Sequence, residues 1–228
     1  MTGSGGHALT RGGQNFDAFF RRTVPDMRKS AMLLWPDRHE AEDAVQQAYL
    51  ELYRHWDRVC GYESPEAWVR MVMFQRLKKA RTAWGRRQPL EIEPPSASSV
   101  AETAYVRQVL AVVHRLPARQ RQVMVLYCLE GMAQHEIAEL TGLSRGGVAS
   151  SLRKARVNLA KKLGLAVAED GDGGPALLPP PAATSAGARL AGDPLITMLK
   201  HAEERLIQAC AADADTTELM LAKIKEER

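Results

Sequence analysis

From Ser144 to Leu163 the sequence places Arg145, Arg153, Lys154, Arg156, Lys161 and Lys162 with no acid between them. A solvated helix face ordinarily mixes both signs of charge. A one-signed run of cations suits the phosphates of a nucleic acid instead. Covalent chemistry finds no comparable support. Cys60, Cys128 and Cys210 are far apart, without metal or redox spacing, and the six histidines do not cluster with them. No phosphate loop or nucleophile–base pair is evident. The sequence therefore predicts no catalytic residue, no metal and no cofactor. Scattered cysteines fit a reduced, cytosolic protein.

The elements that must carry those cations come from Gln134–Arg156, QHEIAELTGLSRGGVASSLRKAR. Ala138, Gly142 and Val148 are spaced as two short helices meeting at a tight turn require. Ala138 is small where the helices approach, and Gly142 falls where the chain must turn left-handed. Leu143 packs under the turn and Ser144 is a good N-cap. Ile137, Leu140, Val148 and Leu152 share an inward face. The pattern predicts a helix-turn-helix whose second helix lies in a DNA major groove.

A length of 228 residues allows one domain or two small ones, and the net charge of +4 hides an asymmetry. Residues 193–228 carry eight acids against five bases, a balance of −3 that leaves +7 on the rest. Such a body suits a polyanionic partner. No apolar run approaches a membrane span, and residues 1–14 read as a flexible tail without a signal peptide's apolar core.

The remainder reads as helix throughout, with no strand-like alternation. Phe16, Phe19 and Phe20 share one face, Pro25 should break that helix and open a second, and Met27, Ala31 and Leu34 extend the stripe to Trp35. In HEAEDAVQQAYLELYRHW, Val45, Ala48, Tyr49, Leu52 and Trp56 should be buried. Glu40, Glu42, Asp43, Gln46, Gln47 and Glu51 lie off that face, as an ordinary solvated surface would. After the loop DRVCGYES, hinged at Gly61, Ser64 should cap a helix with Pro65 at its first position. Trp68 and Val72, with Met71 beside them, form its expected inner face. Arg70, Arg76, Lys78, Lys79, Arg81, Arg86 and Arg87 oppose the single Glu66. Aromatics among bases hold single-stranded nucleic acid, and they equally describe a core helix with a basic end.

QPLEIEPPSAS, with Pro89, Pro94 and Pro95, reads as an acidic linker. Helix resumes near Val100, with Val106, Val109, Leu110 and Val113 inward. A further helix from Leu116-Pro117 carries Val123, Leu126 and Leu129 and ends at Gly131. Residues 166–192 read as a disordered tether. Asp193-Pro194 then opens a helix with Leu195, Leu199, Ala202, Leu206 and Ala209 in one stripe. A second follows, with Asp215 as its expected cap, Glu218 three residues on, and Leu219 and Ile224 inside. Helices this short are marginal alone. They either fray as a terminus does or dock on the +7 body or on a partner.

From about Phe16 to Leu165 the chain resembles the extracytoplasmic-function group of the sigma-70 family, promoter-recognition subunits of bacterial RNA polymerase. EAEDAVQQAYLELYRHW is similar to the family's polymerase-binding helix, and SPEAWVRMVMFQRLKKA to the helix after it. LPARQRQVMVLYCLEGMAQHEIAELTGLSRGGVASSLRKAR is similar to the fourth-region signature nearly throughout. The resemblance implies an all-α protein with two small domains, 15–88 and 101–165, joined by an acidic linker (89–100) and extended by a helical segment, 193–228. It implies RNA polymerase core as partner, gripped at the clamp helices of the largest subunit and at the flap, and promoter DNA. An anti-sigma factor is a further implied partner, and no membrane is.

Under that resemblance Glu40, Glu42, Asp43, Gln46 and Gln47 face polymerase. Tyr62, Trp68, Arg70, Gln75, Arg76, Lys78, Lys79 and Arg81 hold the single strand of the −10 element. Ser144, Arg145, Gly146, Gly147, Ala149, Ser150, Arg153, Lys154 and Arg156 read the −35 element. There are departures: Ala149 and Ser151 stand where the family usually carries cations, and Phe74, Gln75 and Lys79 replace other residues of the −10 helix. The rival readings are a helix-turn-helix regulator that binds an operator without polymerase, and a nucleic-acid enzyme. The first lacks a ligand-binding or dimerising pattern and the second lacks a reactive constellation.

Overall fold

A computed structural model describes residues 15–84, 100–163 and 194–227, and every regular element among them is helical. Helix α1 (Phe16–Leu34) is the axis on which the others are laid. Asn15 starts it, its Oδ1 accepting the Asp17 N–H at 3.0 Å. Phe16, Phe19, Phe20, Val24, Met27 and Ala31 are all buried. The expected break at Pro25 does not occur. Pro25 removes the helical donor for the Arg21 carbonyl, but Arg21 and Arg22 lie on the exposed side, so no buried group is orphaned. Buried Val24 and Met27 hold the helix on course through the proline.

Asp37 caps α2 (Arg38–Arg54), its Oδ1 accepting the Glu40 N–H at 3.0 Å. The expected single helix to Trp56 ends two residues early. His55 turns the chain into α3 (Trp56–Val59), one turn that carries Trp56 inward against Phe19, ring centroids 5.1 Å apart. Phe20 meets Tyr49 edge-on at 4.8 Å, and the Tyr49 hydroxyl is satisfied by Thr23 Oγ1 at 2.7 Å. Ser64 Oγ accepts the Ala67 N–H at 3.2 Å and starts α4 (Pro65–Trp84) as expected. The inner face of α4 is rotated from the expected one. Val69, Val72, Met73, Phe74 and Leu77 are buried, while Trp68 is half-buried and Met71 is 39% exposed. The apolar choice among adjacent positions follows what α1 and α2 offer, which residue type alone does not specify.

The second group comprises α5 (Val100–His114), α6 (Ala118–Cys128), α7 (Gln134–Thr141) and α8 (Arg145–Lys162). Val109, Leu110, Val113, Val123, Leu126, Ile137, Val148, Leu152 and Leu159 form its core. Leu129 is only half-buried, because α6 has ended and the chain turns through Gly131 at φ +66°.

The two groups pack directly on each other. The last carbonyls of a helix lack helical donors, and here the second group supplies them. His114 Nε2 donates to the Met32 carbonyl at 2.7 Å, and Arg121 Nε donates to the Leu34 carbonyl at 2.9 Å. Glu130, in the turn after α6, pairs with Lys29 at 3.0 Å and Arg70 at 3.0 Å and accepts from the Ser30 hydroxyl.

Helices α9 (Pro194–Ala212) and α10 (Ala214–Glu226) dock on this body. α9 lies on α1 and α5 and reaches α8, while α10 packs on α2 and α1. Leu195, Leu199, Ala202 and Leu206 are buried as expected, joined by Ile196 and Cys210. The cap of α10 is Asp213, not Asp215: Asp213 Oδ1 accepts the Thr216 N–H at 3.2 Å. Packing on α2 and α1 puts Met220, Leu221 and Ile224 inside and leaves Leu219, expected inside, 58% exposed. The tail 1–14, the acidic linker with Glu91 and Glu93, Arg86, Arg87, the tether 166–192 and Asp193 lie outside the described residues.

Candidate nucleic-acid and polymerase interfaces

The turn between α7 and α8 is built as the spacing requires. Gly142 takes φ +76°, its N–H donating to the Ala138 carbonyl at 2.9 Å. Ser144 Oγ accepts the Gly147 N–H at 3.1 Å and fixes the first turn of α8. At the other end of the motif, Glu136 accepts the Ala133 N–H at 2.6 Å, one half of a capping box. Ile137 and Val148, both fully buried, pin the two helices together. What is left outward on α8 is Ser144, Arg145, Gly146, Arg153 and Lys154, all exposed, with Gly147, Ala149, Ser150 and Arg156 half-buried beside them. Ser151 is buried and belongs to the core side. Arg145, Arg153 and Lys154 are exposed cations on a helix that carries no acid, the sign that a groove lined with phosphates accepts.

The basic face of α4 is less uniform. Tyr62, Gln75, Arg76, Lys78 and Lys79 are exposed, and Tyr62 lies open at 43%. Arg76 pairs with Glu51 of α2 at 2.8 Å. Arg70 is turned toward the second domain by Glu130, and the half-buried Trp68 indole meets His55 edge-on at 6.5 Å. The Arg81 side chain lies outside the described residues. Arg70 and Trp68 are thus not presented to solvent with the others in this arrangement.

On α2, Asp43 is exposed and Glu40, Gln46 and Gln47 are half-buried. Glu42 is engaged: its Oε1 accepts from Arg28 Nη2 at 2.9 Å and Arg38 Nε at 3.1 Å. Arg28 is completely buried and Lys29 nearly so. Residue-type reasoning passed over both, along with Glu130, Glu203 and Asp213. A signal was present: Phe20, Val24, Arg28 and Met32 fall four apart, which puts an arginine on the apolar stripe of α1, where it needs a partner. The described residues contain no group of three or more side chains suited to a metal ion, and no helix long and apolar enough to cross a membrane.

Two helical units, one ending in a capped helix-turn-helix and the other carrying a polar helix beside a basic one, define a sigma-70 type of protein. Family comparison agrees: residues 19–87 match sigma-70 region 2, and residues 107–159 match sigma-70 region 4. The chain is 32% identical over 155 residues to the RNA polymerase sigma-E factor of Streptomyces avermitilis, across 65% of this chain and 84% of that one. It is 28% identical over 153 residues to the ECF RNA polymerase sigma factor SigM of Mycobacterium tuberculosis, across 65% and 77%. The fold is shared with the sigma factor RpoE of Bartonella quintana, solved with the anti-sigma factor NepR, at a TM-score of 0.51 and 20% identity over 65% of this chain and 96% of that one. The chain belongs to the sigma-70 family, and within it to the extracytoplasmic-function group. The region 2 match falls on α1–α4 and the region 4 match on α5–α8, and the two groups of helices take the names region 2 domain and region 4 domain from them.

Proposed function

We propose that this sigma factor binds polymerase core through the polar face of α2 and directs it to promoters read by α8. In this reading Glu40, Glu42, Asp43, Gln46 and Gln47 meet the clamp helices of the largest subunit, and the region 4 domain meets the flap. Tyr62, Trp68, Arg70, Gln75, Arg76, Lys78, Lys79 and Arg81 hold the melted −10 strand. Ser144, Arg145, Gly146, Gly147, Ala149, Ser150, Arg153, Lys154 and Arg156 read the −35 element. The carrying observation is the acid-free α8, with Arg145, Arg153 and Lys154 exposed and its first turn fixed by the Ser144 cap.

Opening a promoter this way needs no catalytic residue, since bases stacked on side chains offset lost pairing. The work would be done on the nucleoid, with an anti-sigma factor as a further partner class. The domain limits 15–88, 89–100 and 101–165 divide that labour. Run-off transcription tests it: core polymerase alone should give no promoter-dependent transcript, and addition of this protein should produce one. Operator binding unaffected by polymerase, with no transcript, would instead assign a free-standing regulator.

A further inference from the structure

Two neighbouring residues of α1 reach α2, the second group of helices and the C-terminal pair. Arg28 gives Nη2 to Glu42 of α2 at 2.9 Å and to Asp213 at the start of α10 at 2.8 Å, and Nη1 to the Cys210 carbonyl of α9 at 3.2 Å. Lys29 divides its ammonium between Glu130 of the region 4 domain at 3.0 Å and Glu203 of α9 at 2.8 Å. Arg38 adds a second contact to Asp213 at 3.6 Å. On the outside, Arg21 grips Glu218 at 2.6 Å and Lys225 grips Asp17 at 2.6 Å. Three acids of the C-terminal segment, Glu203, Asp213 and Glu218, thus meet Lys29, Arg28 and Arg21 of α1, and Lys225 returns one pair to Asp17. The segment's apolar stripes are buried at the same time against both domains.

This arrangement cannot be the form that reads a promoter. Elements named for positions −35 and −10 lie about 25 base pairs apart, ~85 Å at 3.4 Å per base pair. A globule of this size is only about 40 Å across. The domains must separate, and the sixteen steps of chain from Trp84 to Val100 can span up to about 55 Å. Separation removes Glu130 from Lys29 and Arg70, and it takes away one of the two surfaces that α9 lies on. It also frees Arg70 from Glu130, on the face of α4 that carries Gln75, Arg76, Lys78 and Lys79.

We propose that α9 and α10 form an intramolecular clamp that holds the region 2 and region 4 domains shut over α1 and competes with polymerase core for the α2 face around Glu42. This rests on the assignment of that face to polymerase. The clamp lowers apparent core affinity in proportion to the fraction of molecules it keeps closed. Loosening it raises that affinity without any change in the polymerase-binding residues themselves.

Two measurements on the full chain test this. Dyes are placed at Asp57→Cys in the region 2 domain and Glu139→Cys in the region 4 domain, both exposed positions, with Cys60→Ser to silence the half-buried thiol. In this background Glu203→Lys with Asp213→Lys should lengthen the inter-domain distance by roughly a domain diameter, ~20 Å. The same double variant should bind core polymerase about tenfold more tightly. Conversely, Arg21→Cys with Glu218→Cys, joined by a flexible thiol cross-linker, should bind core about tenfold more weakly than the same protein left unlinked. A distance unchanged by the double reversal overturns the clamp, as does a cross-linked protein that binds core as well as the unlinked one. If unmodified and reversed proteins both fail to bind core, the polymerase assignment falls, and the distance alone then decides the clamp.

Discussion

His114 donates from Nε2 to Met32, and among the described residues its Nδ1 is buried without a partner. A proton there would put a second cation beside the Arg121 guanidinium. Burial first, and then that neighbouring charge, lowers the imidazole from its ordinary 6.5 to about 4. The folded value lies below the unfolded one, so the unfolded chain takes up the proton first as pH falls. Stability is whole above about pH 6.5 and is lost progressively down to about pH 4. The drop amounts to about 3 kcal/mol at 1.36 kcal/mol per unit. Urea unfolding should show most of that loss between pH 7 and pH 4.5. His114→Gln keeps an N–H for Met32 and cannot titrate, so its loss should be distinctly smaller. Equal losses in both proteins would remove His114 as the cause.

Elements whose specification is local were legible in the sequence, and α8 is the clearest. Gly142, Ser144 and Val148 each act within a few residues of themselves, so spacing alone located the turn, the cap and the buried contact. Ser144→Ala should cost about 1 kcal/mol and lower −35 affinity by loosening the first turn. Arg153→Ala should reduce the salt slope of DNA binding by about one unit, the signature of one lost phosphate contact. A slope unchanged by that substitution would take Arg153 off the DNA face. On α2, Asp43→Ala with Gln46→Ala should weaken core binding while thermal stability moves by less than about 0.5 kcal/mol. A collapsed melting temperature with core affinity intact would make that face structural. Where specification is not local, sequence reading failed in consistent ways. The inner face of α4 depended on which of several adjacent apolar residues α1 and α2 could accept. The cap of α10 lay at Asp213 because Arg28 holds that carboxylate in place, a contact 185 residues away. Burial disfavours the charged Asp213, yet the hydrogen bonds from Arg28 and Thr216 outweigh it and keep its pKa below the ordinary carboxylate value.

Across the whole molecule, the region 2 domain, the region 4 domain and the C-terminal pair share one continuous apolar core. Charged residues sit at its seams: Arg28 is fully buried and Glu130 is 3% exposed at its side chain. Buried ion pairs are weak sources of net stability, but breaking one by removing a single partner leaves a stranded charge and costs about 3–5 kcal/mol. They therefore favour one arrangement over many, which is what a closed state built from three separate parts requires. Calorimetry at pH 7 should find a single cooperative transition for the full chain, because no part can leave without exposing the core of another. Glu203→Lys with Asp213→Lys sets a cation beside Lys29 and Arg28, each of which keeps one acid, Glu130 and Glu42. The loss should therefore be that of one broken pair, about 3–5 kcal/mol. At 2–4 °C per kcal/mol for a protein of this size, that should lower the midpoint by about 10 °C. The transition should also broaden or split, as the two domains begin to melt separately. Two well-resolved transitions already present in the unaltered protein would show that the domains do not share their stability, and the closed state would then be too weak to restrain anything.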